Sequence, residues 1–474
     1  MPSRSRQISL FEGVDRVAVL LYVLLVGIGL VNILSASFND EIEMFSFKQQ
    51  YVKQLIWMGL SFGVGLVILL LESKYYHMLA YYAFAGCAVL MLATLVPGIG
   101  REEVNGARAW LAFGLQPIEL MKVATALSVA RLMSNYTFSI RSVGGLLRVG
   151  LLIIFPIGLT LLQNDTGSGL VLCSFIFVLY REGLNKWLCI PAIIVAVLFV
   201  CSLLFTQLLL LILLLLVFTI SDAMMLGRWR LHIRFMTLIC LGAVVLYGLS
   251  LIFFGGALSG TMSLIIALVI GTIVAAIYAW RMQLPSMFLI LAMFVGSMLF
   301  VPAADYVFEN VLQGYHRKRI ISFLGIESNA KFDWNVDQAK IAIGSGGLFG
   351  KGYMEGTQVR YGFVPEQDTD FIFCTVGEEW GFVGTMTVLA LLCALILRLM
   401  RMGERQEEPF CRIYSYCVAS ILLYHVLVNV GMTIGLIPVM GIPLPFISYG
   451  GSSLLGFTLL LFIAIRLDAS PTRI

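Results

Sequence analysis

The sequence predicts an all-α polytopic membrane protein with about 14 transmembrane helices and one large extracytoplasmic loop, and three observations carry that prediction. Of 474 residues, 60% are hydrophobic and only 12% charged. Soluble domains carry roughly 25% charged residues, so a water-soluble fold could not cover its own surface with this chain. Mean hydropathy is +0.95. The apolar residues fall in continuous runs close to the roughly 20 that a helix needs to cross a bilayer, without the alternation of a membrane β-barrel.

The first run, at about 15–37, follows a polar tail too long for a usual signal peptide and lacks a small-residue cleavage site, so it reads as a retained helix. Further runs lie at about 54–72, 76–96, 117–134, 148–163, 166–183 and 188–206. Seven more follow at about 207–224, 235–254, 262–281, 284–302, 371–400, 412–434 and 449–467. They group into an N-terminal transmembrane half at 1–206, extra helices at 207–302, a polar loop at 303–370 and C-terminal helices at 371–474. Lys and Arg in short loops set orientation. Arg4, Arg6, Arg16, Arg141, Arg148, Arg181, Lys186, Arg228, Arg230, Arg234, Arg401, Arg405, Arg412, Arg466 and Arg473 all fall on one side, which is then cytoplasmic. The loops 97–116 and 303–370 fall outside.

Net charge is +4 and says little by itself. The nine cysteines form no CxxC pair or Cys/His cluster, so a disulfide framework and a zinc site are not expected. The loop 303–370 is basic, with Arg317, Lys318, Arg319, Lys331, Lys340, Lys351 and Arg360. It suits either an anionic ligand at the membrane surface or charge pairing with Glu309, Glu327, Asp333 and Asp337. Gly344, Gly346, Gly347, Gly350, Gly352 and Gly356 crowd into 13 residues of it. Such a run can bring backbone N–H groups to a phosphate, and equally can be a flexible loop. The Walker A order is absent.

Carboxylates near the hydrocarbon are costly and mark function. Asp370 abuts Phe371, Ile372 and Phe373, where partial desolvation suits it as a general base. Asp368 reads instead as a carboxylate at a helix N-terminus. Asp165, in LLQNDTGSGL, reads as an N-cap. Glu119 and Lys122 stand at i, i+3 in an apolar helix and can pair there or face a substrate groove. Pro438, Pro443 and Pro445 cannot continue a helix. Irregular backbone at membrane depth must be buried in protein or line a wet cavity, so this stretch reads as re-entrant.

The runs IAIGSGGLFGKGYMEGTQ, VPEQDTDFIF, GEEWGFVG and PVMGIPLPFISYGGSS resemble the SEDS proteins (shape, elongation, division, sporulation) of bacterial cell-wall synthesis. The GKG…GTQ form is closer to the family's elongation branch than to its division branch. NGARAW…QPIELMK, QNDTGSGL and YHRKRI resemble further segments of that family, and the match spans about 15–185 and 313–467. The resemblance implies a bacterial cytoplasmic-membrane enzyme that polymerises lipid II, an undecaprenyl-pyrophosphate-linked disaccharide pentapeptide, into glycan strands with inversion. It implies a class B penicillin-binding protein as partner, contact with membrane lipid and none with nucleic acid. No cofactor is required by it, and a divalent cation, Mg or Mn, is admitted. It places the essential aspartate on Asp370, as base for the acceptor hydroxyl. It places substrate contacts on Arg319, Lys340, Lys351, Gln358, Glu119, Lys122, Asp165, Trp110 and Ser448. This chain departs from the family at Asp368, where His is usual, at Ala109, where Arg is common, at Asn164 and Thr166, and in four additional helices at 207–302. Two rival readings are a lipid II flippase, which Glu119, Lys122 and the broken segment 438–453 would suit, and a non-catalytic scaffold for a transpeptidase.

Overall fold

A computed structural model describes residues 13–38, 46–47, 49–101, 106–112, 114–185, 194, 197–198, 201–202, 205–226, 229–253, 259–283, 285–306, 308, 310, 314–324 and 330–469. No strand is present among them. The chain divides into two compact units, Met1–Leu184 with Ser328–Ile474, and Asn185–Glu327.

The first unit holds α1 (Arg16–Ser37), α2 (Gln50–Leu70), α3 (Ser73–Ala93), α4 (Pro117–Met133) and α5 (Val143–Leu162). The expected span at 166–183 is split into α6 (Thr166–Val171), a 3₁₀ turn at Leu172–Ser174 and α7 (Phe175–Arg181). The second unit holds α8 (Gln207–Leu226), α9 (Trp229–Phe253), α10 (Gly260–Arg281), α11 (Pro285–Tyr306) and α12 (Gly314–Phe323). The first unit resumes with α13 (Ala330–Ser345), α14 (Thr357–Arg360), α15 (Ile372–Arg405), α16 (Pro409–Thr433) and α17 (Gly451–Asp468). The span expected at 188–206 lies largely outside the described residues. The polar stretch 303–370 contains helices α12 to α14 as well as loop.

Among the described residues, nine helices are long and apolar enough to cross a membrane, and three more are apolar but shorter. The chain is a multi-pass membrane protein. Helix α4, of 17 residues, is more polar than these for a physical reason. From Ile118 to Ala130 every residue but Leu120 is buried in protein, so α4 meets other helices rather than lipid and can carry Glu119 and Lys122. Helices α16 and α17 are likewise mostly buried, whereas α2 and α3 expose most of their surface.

Ion pairs gather one end of the first unit. Asp15 caps α1 by accepting from the Ala18 N–H at 3.1 Å, and Arg398 of α15 reaches the same carboxylate at 2.8 Å. Arg405 bridges Asp15 and Asp468, while Arg412 pairs with Glu182 at 2.8 Å and Arg181 with Glu404 at 3.0 Å. Arg181, Arg405 and Arg412 are among the cations that the positive-inside pattern put on one side. They share one end, and 97–101, 106–112, 114–116, 346–370 and 434–450 lie at the other.

In the second unit, Leu211, Leu215, Ala243, Leu264, Ala267, Leu268, Phe294 and Met298 form an apolar core drawn from α8, α9, α10 and α11. Two of these four helices are among those long and apolar enough to cross a membrane, and the other two are apolar over a shorter length.

Candidate active site

The site is organised around the irregular stretch 434–450 between α16 and α17. Prolines deny it a helix, so its backbone groups need partners from elsewhere, and three neighbouring segments supply them. His425 of α16 sits 3.1 Å from the Pro443 carbonyl. The Asn429 amide, one turn along α16, donates to the Ile442 carbonyl at 2.8 Å. The Tyr449 N–H donates to the Asp368 carbonyl at 2.8 Å. Gln54 of α2 accepts from the Gly450 N–H at 3.3 Å. The stretch also closes on itself, with Ser448 Oγ accepting from the Leu444 N–H at 2.8 Å. On α1, a Cβ at Gly29 would come within 2.6 Å of the Phe446 carbonyl oxygen, so glycine permits the close approach there.

Asp370 stands against this hub. The same Asn429 amide that holds Ile442 donates to the Asp370 backbone carbonyl at 2.9 Å, and a Cβ at Gly441 would lie 3.3 Å from Asp370 Oδ2. On the other side Phe371, Ile372 and Phe373 are buried, and Phe371 joins a core cluster with Ala339, Ala342, Val364, Cys374, Met432 and Val439. The apolar wall expected beside Asp370 is therefore present.

Glu119 and Lys122 pair as expected, at 2.9 Å and fully out of solvent. The pair does not stand alone. Lys122 Nζ reaches His425 Nε2 at 3.0 Å and lies 5.0 Å from the centre of the Phe457 ring. Pro443 offers only an acceptor, so the hydrogen-bond pattern assigns the proton of His425 to Nδ1 and leaves Nε2 to accept from the lysine. A buried chain thus runs from Glu119 through Lys122 and His425 into the hub.

Asp165 is an N-cap, accepting from the Ser168 N–H at 3.2 Å, and Gln116 also donates to it at 2.8 Å. Its turn touches the hub, since a Cβ at Gly167 would lie 2.2 Å from the Met440 carbonyl oxygen. Trp110 is half-buried, and its carbonyl accepts from the Arg101 N–H at 2.9 Å. Lys340 lies across Gly435, where a Cβ would meet its Nζ at 2.6 Å. Arg319 belongs to the second unit.

The glycine-rich run differs from the phosphate cradle considered above. The N–H groups of Gly350, Lys351 and Gly352 donate to the carbonyls of Gly346, Glu378 and Glu379. A Cβ at Gly346 would lie 2.0 Å from the Gly377 carbonyl oxygen, and one at Gly350 2.0 Å from that of Glu379. The glycines let the loop pack on the start of α15. Lys351 is engaged as well: its ammonium meets the fully buried Glu378 carboxylate at 2.7 Å. Glu378 also accepts from the Gln358 and Val359 N–H groups at 2.9 and 3.0 Å, which fixes Gln358 in α14.

Asp368 departs from the expected helix-terminal role. Helix α15 has Phe371 at its N-cap, and the Asp368 carboxyl is buried with Oδ2 lacking a hydrogen-bond partner. Burial pushes this carboxyl above its ordinary value, and the Glu366 carboxylate nearby pushes the same way. A carboxyl raised in the folded state gives stability that is whole below its unfolded value and lost as pH rises through its folded value. Asp368→Asn is expected to remove that loss. Melting of purified protein in micelles across pH should show the variant gaining on wild type as pH rises out of the ordinary aspartate range. A gap that ignores pH would mean Asp368 ionises as freely folded as unfolded.

Sequence reasoning passed over His425 and Asn429. The available signal was two polar residues at i, i+4 in an apolar helix, which place both on one face. Among the described residues no group of three or more His, Cys, Asp or Glu is placed to hold a metal ion.

A family model for cell cycle proteins of the FtsW, RodA and SpoVE type matches residues 15–210 and 205–472. The chain belongs to the FtsW/RodA/SpoVE family. Among curated members of the family, peptidoglycan glycosyltransferase RodA of Treponema pallidum is 32% identical over 93% of this chain and 94% of its own length. Peptidoglycan glycosyltransferase MrdB of Escherichia coli is 29% identical over 83% of this chain and 80% of its own. A chain of a solved peptidoglycan synthase complex that coordinates polymerization and crosslinking aligns with TM-score 0.59 at 22% identity, over 96% of this chain and 97% of that one. Thermus thermophilus rod shape determining protein RodA aligns with TM-score 0.54 at 22% identity, over 96% of each chain. These two structures share the family's fold.

Proposed function

We propose that this chain is a peptidoglycan glycosyltransferase that polymerises lipid II on the extracytoplasmic face of the bacterial cytoplasmic membrane, with Asp370 as general base. The observation that carries the reading is Asp370 itself, its backbone tied to Asn429 and its carboxylate beside Gly441, at the edge of the buried Phe371–Phe373 wall. The two curated relatives with the same activity in their names support it.

In this reading the acceptor 4-hydroxyl oxygen attacks the anomeric carbon of the donor sugar. Its proton passes to the Asp370 carboxylate as the carbon–oxygen bond to pyrophosphate breaks, and the lipid pyrophosphate leaves with the electron pair. Attack opposite the leaving group inverts the anomeric centre. A base at the boundary of an apolar wall is less solvated than in water, which strengthens its pull on the hydroxyl proton. Asp165, Trp110 and Lys340, at the same end of the first unit, are the substrate contacts of this reading. Glu119, Lys122 and Ser448 act by shaping the hub rather than by meeting substrate. No step is assigned to a cation. The extracytoplasmic side is supported by the cationic end, where Arg398, Arg405 and Arg412 are paired. A class B penicillin-binding protein is the proposed partner, in line with the synthase complex that shares the fold.

Purified protein, with and without its cognate transpeptidase, is expected to convert labelled lipid II into glycan strands resolved by gel electrophoresis. Absence of polymer from a folded complex whose transpeptidase is active would sink the reading, and transfer of lipid II across vesicles without polymer would favour the flippase.

A further inference from the structure

We propose that the glycine-rich loop 346–354 is seated in the bilayer, with Leu348 and Phe349 packed against lipid acyl chains in the leaflet at the C-terminal end of α1. The depth of the loop follows from the two spans it touches. Helix α1 has 22 residues, a length of about 33 Å against a hydrocarbon core of about 30 Å, so its end at Ser37 lies near the edge of the core. The Tyr353 hydroxyl reaches the Val31 carbonyl of α1 at 3.4 Å. Val31 lies six residues before Ser37, or about 9 Å further in. Ser35 of α1 donates to Glu379, which puts the first turns of α15 at the same level.

Helix α15 gives the same answer. Its 34 residues would reach about 51 Å, well beyond one membrane thickness, and it breaks at Gly381, with φ 64° and ψ −159°. The loop attaches at that break. The Phe382 and Val383 N–H groups donate to the Gly347 and Leu348 carbonyls at 2.9 and 3.1 Å, just where the apolar part of α15 begins.

The loop also meets the chemical demand of such a position. Irregular backbone in hydrocarbon must have its polar groups satisfied by protein, and the N–H groups of Gly350, Lys351 and Gly352 and the carbonyls of Gly347 and Leu348 are all bonded. Its one cation, Lys351, is neutralised by the buried Glu378 carboxylate. What it presents outward is apolar: Leu348 is 64% and Phe349 80% exposed, continuous with exposed Phe382 and Val383 on the lipid-facing side of α15. Two such side chains open to water would be unfavourable, whereas acyl chains already surround the helix beneath them. The inference rests on depth alone and stands or falls apart from the transferase reading.

The test places a bimane fluorophore on Leu348→Cys, Phe349→Cys and, as a water-exposed control, Tyr136→Cys, in full-length protein with its native cysteines replaced and reconstituted in phosphatidylcholine vesicles. Lipids brominated on the acyl chain are expected to quench the labels at 348 and 349 by roughly half, with little quenching by aqueous iodide, as for an apolar side chain below the headgroups. The label at 136 should do the reverse. Iodide quenching at 348 and 349 as strong as at 136 overturns the proposal. Protection from both quenchers overturns it too, since a second protein surface would then cover the loop. Should the cysteine-free chain not fold, Phe349→Trp in the otherwise native chain replaces it, and the added emission must be quenched by the brominated lipid.

Discussion

Replacing Asp370 by asparagine is expected to abolish glycan polymerisation while leaving the fold intact. General base catalysis contributes about 10²–10⁴ in rate, and asparagine cannot take the acceptor proton. The fold should persist for a stated reason. The bond that anchors position 370 runs from Asn429 to the backbone carbonyl, which the substitution leaves in place, and the amide fills the same space beside Gly441. Melting temperature and turnover should therefore separate, the first unchanged and the second lost. Retained polymerisation in the variant would remove Asp370 from the chemistry. A collapse of melting temperature would instead make its role structural.

The second large effect is on stability. Lys122→Met should destabilise the protein by roughly 3–5 kcal/mol, because it strands a buried carboxylate without its counter-charge. Glu119 and Lys122 are fully enclosed, and the lysine also supplies the donor that His425 Nε2 accepts. The double variant Glu119→Gln/Lys122→Met is expected to recover much of that loss, since no charge is then left uncompensated. Unfolding in micelles across the four members of the cycle reads the coupling directly. Additive single effects would show that the two groups do not act as an ion pair.

These residues also show how far the sequence could be read. The i, i+3 spacing allowed Glu119 to pair with Lys122, and the flanking Phe371, Ile372 and Phe373 marked an apolar neighbourhood for Asp370, because both signals are local. The third member of the buried chain, His425, lies 303 positions from Lys122, and no periodicity reports a contact at that separation. The glycine-rich run left two readings open for a related reason. Glycine marks close approach, but the sequence does not say to what, and here the neighbour is the backbone of Gly377 and Glu379. Asp368 shows the same gap, since its carbonyl is bonded by the Tyr449 N–H, 81 residues away along the chain. Helix α4 carries more polar residues than a helix facing lipid would, and its burial among other helices gives the reason.

The stretch 434–450 has a consequence for the order in which the molecule is made. Its partners come from α1, α2, the turn before α6, the segment before α15 and α16, and domains are synthesised from the N-terminus onward. When α4 enters the membrane, His425 is still unsynthesised, and Glu119 and Lys122 have only each other. Gly29, Gln54 and Asn429 likewise wait for residues made after them. A ribosome stalled before residue 450 would leave a set of inserted helices with no assembled site, so competence arrives in one step, once the stretch 434–450 has been made.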